Sequence, residues 1–163
     1  MEISFEEYLA QLAPNLAVQE KPSILLLTCM DYRFAHRIID FMDNAKPSLR
    51  RKYDMFVLAG AAAGANKFVK WRQALVEHIQ TARSILHPID RLIILEHRDC
   101  GAYKAWLGLD WARVTPTDEW TSHRNQVTQL IPILKNEIQN LTIDSFLLTR
   151  DEDDVLYIAT TDQ

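Results

Sequence analysis

Apolar residues recur along this chain in short unbroken runs separated by longer stretches of helical spacing. Glu2 to Leu12 carries Ile3, Tyr8, Leu9 and Leu12 at intervals suited to one face of an amphipathic helix, closed by the turn signal Pro14-Asn15. Ser23 to Thr28 reads as a buried strand and Phe34 to Met42 as a helix, broken by Asp43 to Ser48. A second strand covers Met55 to Leu58 and runs into a glycine turn, Gly60-Ala61-Ala62-Ala63-Gly64. Asn66 to Leu86 has apolar or small residues at Phe68, Trp71, Leu75, Val76, Ile79 and Ala82, a helical pattern that Pro88 stops before a third strand at Arg91 to Glu96.

Gly101 to Leu107 predicts a short helix, Gly108 to Thr117 a loop, and Asp118 to Leu141 a long helix that Pro132 should kink or split by removing an amide donor. A fourth strand follows at Asp144 to Leu148, an acidic turn at Asp151 to Asp154, and a fifth strand at Val155 to Thr160, close enough in sequence to pair antiparallel with the fourth. Strands alternating with helices require right-handed crossovers, so the expected class is three-layer α/β. Its central sheet has four mostly parallel strands plus an antiparallel fifth at the edge, with helices on both faces. The whole chain, 1–163, reads as one domain with residues 1–20 as an N-terminal helical arm.

Composition narrows the partners. A chain 48% hydrophobic and 25% charged has enough apolar material for one core. With 18 basic against 22 acidic residues, and no basic run longer than Arg50-Arg51-Lys52, nucleic acid is disfavoured. The N-terminal segment is acidic where a signal peptide is basic, and no apolar stretch reaches the ~18 to 20 residues of a membrane span. A cytoplasmic protein without membrane attachment is the expectation.

Both cysteines lie at the ends of apolar runs. Cys29 closes Ile24 to Cys29, and Cys100 follows the third strand with His97 three positions before it. In an open parallel sheet such strand ends share one edge, where functional groups collect beside the point at which strand order reverses. Two thiolates and an imidazole are zinc donors, and three protein ligands leave a fourth tetrahedral position, the mark of a catalytic site. The same residues also suit buried core positions, or a Cys29–Cys100 disulfide. His36, His78, His87 and His123 have no ligand-like spacing and read as surface or satisfied core histidines. Trp71, Trp106, Trp111 and Trp120 read as packing or interface residues, and the amides of the glycine turn as a possible cradle for an anion.

Cys29-Met30-Asp31-Tyr32-Arg33 after the first strand resembles the Cys-x-Asp-x-Arg motif of the β-class carbonic anhydrases, and His97-Arg98-Asp99-Cys100-Gly101 resembles their His-x-x-Cys-Gly. The resemblance covers Ser23 to Gly101. It implies a zinc enzyme for the reversible hydration of carbon dioxide to bicarbonate, with Zn2+ held by Cys29, His97 and Cys100. Asp31 would then be the carboxylate beside the fourth position and Arg33 its partner. It also implies a homodimer or higher homo-oligomer. Three departures accompany it: Tyr32 where the family usually has serine, Val57-Leu58 where it typically has arginine and asparagine, and a longer interval between the ligand groups around Lys46 to Tyr53. A hydrolase of carbonyl sulfide or carbon disulfide, or a non-catalytic zinc-binding relative, is the alternative.

Overall fold

The computed structural model describes residues 10, 22–44, 48–149 and 155–160. Five strands, β1 (Ile24–Cys29), β2 (Tyr53–Leu58), β3 (Arg91–His97), β4 (Thr142–Leu148) and β5 (Val155–Thr160), form one sheet in the order β2-β1-β3-β4-β5. The first four are parallel, and β5 runs antiparallel to β4. Among the described residues five complete helices accompany them: α1 (Tyr32–Asn44), α2 (Ala61–Lys67), α3 (Val69–Thr81), α4 (Gly101–Leu107) and α5 (Pro116–Glu137), with a π-helical turn at Ala82–Leu86. The helix expected over Glu2 to Leu12 lies outside the described residues apart from Ala10, and the acidic turn Asp151 to Asp154 lies outside them entirely.

The apolar runs of β1, β3 and β4 become strands buried on both faces, as central parallel strands must be, whereas the edge strand β2 is only partly buried. Every residue of β1 is buried, and its side chains alternate between two cores. Leu25 and Leu27 pack with Leu92 and Ile94 against Leu75 and Ile79 of α3 and Val127, Leu130 and Leu134 of α5. Ile24 and Leu26 pack with Ile93 and Leu95 against Phe34, Ile38 and Met42 of α1 on the other face. Helices thus cover both sides of the sheet. Because Leu26 is fully buried in close packing, Leu26→Ala is expected to lower unfolding free energy by about 2–5 kcal/mol, measurable by denaturant titration.

Three helical expectations change. The glycine turn and the helix expected from Asn66 are replaced by a helix that starts at Ala61, breaks at Phe68 in extended geometry (φ −114°, ψ 102°) and resumes as α3. Glycine at 64 serves close approach within that helix: a Cβ there would lie 2.2 Å from the Ala59 carbonyl oxygen. Pro132 does not split α5, which runs unbroken from Pro116 to Glu137. A proline inside a helix costs ~3 kcal/mol or more. Val127, Leu130 and Leu134 on either side of it are fully buried, and each such side chain returns about 1.5–3 kcal/mol, so the apolar stripe outweighs the proline. The helix starts before Asp118 because Thr115 and Asp118 form a reciprocal capping box with Pro116 behind it.

Strand β1 has β2 on one side and β3 on the other. The chain therefore reverses direction across the sheet at β1, and the crevice beyond the carboxyl ends of β1 and β3 is the topological switch point.

Candidate metal centre

Cys29 is the last residue of β1 and His97 the last of the adjacent β3. After His97 the chain turns through Asp99, whose φ of 55° is left-handed, and enters α4 from Cys100. The turn folds Cys100 back over the end of β3. Cys29, His97 and Cys100 are all buried, and their ligating atoms lie within 4.8 Å of one another. Both cysteines are free. Their sulfurs stand 3.8 Å apart, too far for the ~2.05 Å of a disulfide. Two thiolates at ~2.3 Å from one tetrahedral ion would be separated by about 3.8 Å, so the spacing suits a shared metal.

The histidine is prepared for the same task. Its Nδ1 donates to the Arg98 carbonyl at 2.8 Å, which places the proton on that nitrogen. Nε2 is left with its lone pair, buried and without a hydrogen-bond partner, and the ring is fixed against Phe34 with centroids 4.3 Å apart. A buried, unpaired acceptor is costly unless something occupies it, and a cation meets that need. The residues present fit a zinc ion.

Charge is concentrated on Cys29. Its thiol is pushed down to about 4, chiefly by the hydrogen bond from Cys100, then by His97 and by the backbone N–H of Gly60, with burial opposing. Gly60 donates to Cys29 Sγ at 3.2 Å. Cys100 is pushed up by its bond to Cys29 and by burial. Burial also disfavours charge on His97, but the neighbouring Cys29 sulfur and its negative charge outweigh it and raise the imidazole. The Gly60 amide of the glycine turn is thus directed at the chain's own Cys29 sulfur. Gly60 itself has φ +65°, and a Cβ there would meet Ala102 Cβ at 2.7 Å, so glycine is required.

Asp31 and Arg33 stand at the mouth of the cluster. Asp31 Oδ2 is 3.9 Å from His97 Nε2. Arg33 grips the carboxylate through Nε to Oδ1 (2.9 Å) and Nη2 to Oδ2 (2.6 Å), and its backbone N–H adds a third bond to Oδ1 (3.1 Å). These bonds hold the Asp31 carboxyl below its usual range. Arg33 Nη2 also donates to the Asp99 carbonyl at 3.0 Å, tying the fork to the loop between His97 and Cys100. Tyr32, which stands where the family motif usually has serine, is 86% exposed.

The sequence reading missed the residues that hold this loop. Glu119 of α5, only 6% exposed, accepts from the Asp99 backbone N–H at 2.6 Å and from Arg98 at 2.9 Å. One turn later His123 is fully buried and pairs with Glu96 at 3.1 Å. The signals were present as a glutamate ending the apolar run Leu92 to Leu95 and an acid–histidine pair four apart on one helix. Glu119→Ala, which strips Arg98 and Asp99 of their common partner, is expected to weaken zinc binding about 10- to 100-fold, measurable by competition with a chromophoric chelator.

No protein-family model matches the chain. An uncharacterised protein of Rickettsia conorii is 28% identical over 141 residues, covering 84% of this chain and 73% of its own, and one of Rickettsia bellii is 28% identical over 141 residues. Among solved structures, a tetrameric β-carbonic anhydrase of Sordaria macrospora superposes with a TM-score of 0.58 at 14% identity, covering 95% of this chain and 90% of that one. The chain has the β-carbonic anhydrase fold. A β-carbonic anhydrase of Trichomonas vaginalis (TM-score 0.50, 17% identity, 96% and 98% coverage) and the apo form of a carbon disulfide hydrolase (0.51, 14%, 91% and 89%) share it. Within the β-carbonic anhydrase fold of this chain, the two motifs fall at the ends of β1 and β3, and the Cys-His-Cys cluster lies at the switch point between them. No helix among the described residues is long and apolar enough to cross a membrane.

Proposed function

We propose that the chain is a zinc-dependent carbonic anhydrase-like enzyme that interconverts carbon dioxide and bicarbonate. One observation carries the reading: Cys29, His97 and Cys100 converge beside an aspartate that is already gripped by an arginine. Cys29 and Cys100 supply two thiolates and His97 its free Nε2. Zinc, when bound, acts as a Lewis acid and brings the deprotonation of water into the neutral range. Asp31, kept ionised by Arg33, can accept a hydrogen bond from a water or hydroxide in the mouth and turn its lone pair toward a substrate carbon. Arg33, anchored on the Asp99 carbonyl, keeps that carboxylate from becoming a further ligand.

A second substrate class follows from the fold shared with a carbon disulfide hydrolase: the same attack on carbonyl sulfide or carbon disulfide. Stopped-flow hydration with a pH indicator on zinc-loaded protein, run beside sulfide release from both sulfur analogues, separates the substrates. Turnover of carbon dioxide is expected. No turnover on any of the three by fully loaded protein would leave zinc a structural role. A homodimer or higher homo-oligomer belongs to this reading, supported by Met30 (67%), Tyr32 (86%) and Val57 (48%), which stand exposed around the strand ends; light scattering tests it.

Zinc removal is expected to destabilise the fold, because the ligands tie β1 to β3 and binding is available only to the folded chain. At zinc one hundred times its dissociation constant the contribution is about 2.7 kcal/mol, or roughly 5–11 °C in melting midpoint at this length, measurable by melting holo- and apo-protein.

A further inference from the structure

Behind the metal centre, on the opposite face of β3, lies a buried polar group that the proposed reaction does not use. Side chains of β3 alternate, so Glu96 points away from the face that holds His97, toward α2 and α5. It is 1% exposed. Its Oε1 accepts the Ala62 backbone N–H at 2.9 Å and its Oε2 accepts from His123 Nδ1 at 3.1 Å, while the Tyr103 ring lies over His123 with centroids 3.9 Å apart. A carboxylate this deeply buried is costly, and its two partners are what make it tenable.

Those contacts converge on the loop that serves Cys29. Gly60 and Ala61 are both left-handed, with φ of 65° and 39°, and for alanine that conformation costs about 1–2 kcal/mol. Something must hold the turn in place. Ala62 is the residue that follows, and Glu96 pins its N–H. Gly60, two residues earlier, sends its own N–H to Cys29 Sγ at 3.2 Å. We infer that Glu96, braced by His123, is a positioning residue that sets the Gly60 N–H on the Cys29 sulfur and thereby tunes that ligand. The role rests on the metal-site reading above, and it assigns a purpose to the Glu96–His123 pair that packing alone does not require.

The test replaces zinc with Co2+, whose sulfur-to-metal charge-transfer band reports directly on thiolate hydrogen bonding. A hydrogen bond stabilises the sulfur lone pairs, so its loss lowers the transition energy. Glu96→Ala is expected to move the band to longer wavelength and to weaken Co2+ binding about 10- to 100-fold. Glu96→Gln keeps an oxygen for the Ala62 N–H and, with the His123 proton moved to Nε2 so that Nδ1 accepts, an amide N–H for His123, and is expected to retain the wild-type band although the charge is gone. If Glu96→Ala does not fold, Glu96→Gln decides alone: an unmoved band supports the role, and a shifted band shows that charge, not position, governs the thiolate. An unmoved band and affinity in folded Glu96→Ala, or failure of both variants to fold, would reduce Glu96 to a stability role. Wild type that takes up no Co2+ would instead remove the metal site itself, and this role with it.

Discussion

Cys100→Ser is expected to abolish stoichiometric zinc binding and, with it, hydration of carbon dioxide. The chain contains two cysteines, so a lost thiolate at this position has no replacement in sequence. The serine hydroxyl is a poor zinc donor, and the remaining Cys29 and His97 form an incomplete set. Cys100 is 1% exposed and packed with Tyr103, but serine is close to it in size, so the fold should survive with about the stability of the zinc-free wild type. Metal analysis after dialysis against a competing chelator checks this. Full zinc occupancy in the variant would remove Cys100 from the ligand set.

Arg33→Ala should leave zinc content intact while lowering turnover by about 100-fold or more, at or beyond the upper end of effects seen for groups that orient a metal site. The guanidinium makes the only described side-chain hydrogen bonds to Asp31, and the carboxylate it releases already has an oxygen 3.9 Å from His97 Nε2. Freed, Asp31 can swing inward and compete for the fourth position. Asp31→Asn removes the charge without supplying a competing ligand, so its loss should be smaller, on the order of 10- to 100-fold. Arg33→Lys is a useful third member, since a point charge cannot reproduce the fork and the bond to the Asp99 carbonyl together. Hydration rates for the series, each normalised to measured zinc, provide the check. Equal rates in all of them would make the pair structural.

The parallel sheet was legible because its strands are unbroken apolar runs, and a run such as Ile24 to Leu27 has few other uses in a chain of this composition. The convergence of Cys29, His97 and Cys100 was legible because Cys29 and His97 end adjacent strands and Cys100 follows three residues later, where the α/β architecture itself delivers side chains to one edge. The start of α2 was not, since Gly60 to Gly64 has the composition of a turn. Its glycines serve steric needs, contact with Ala102 and with the Ala59 carbonyl, which arise only after the chain has folded. The unbroken course of α5 through Pro132 was likewise decided by burial on both sides of the proline. Glu96 and Glu119 were missed for a related reason. Their partners, His123 and the Asp99 backbone, lie 27 and 20 positions away, and pairings over that separation leave no local pattern.

These examples share a physical cause. Periodicity reports what each segment must bury, and segments that bury apolar surface in a regular way announce themselves. Polar groups inside the protein are specified by their partners, and the fold alone brings those partners together. The clamp of Glu119 on Arg98 and Asp99, the grip of Arg33 on Asp31 and the bond of Glu96 to Ala62 all belong to this second kind. Together they surround the Cys29-His97-Cys100 cluster with groups that fix its loops.

The most direct measurement is a titration of metal-free protein with zinc in which bound metal and carbon dioxide hydration are followed on the same sample. Hydration is expected to rise in proportion to bound zinc and to break at one ion per chain, and Cys100→Ser to show neither the break nor the rate. Hydration absent at full zinc loading, or present and independent of zinc, would contradict the proposed function.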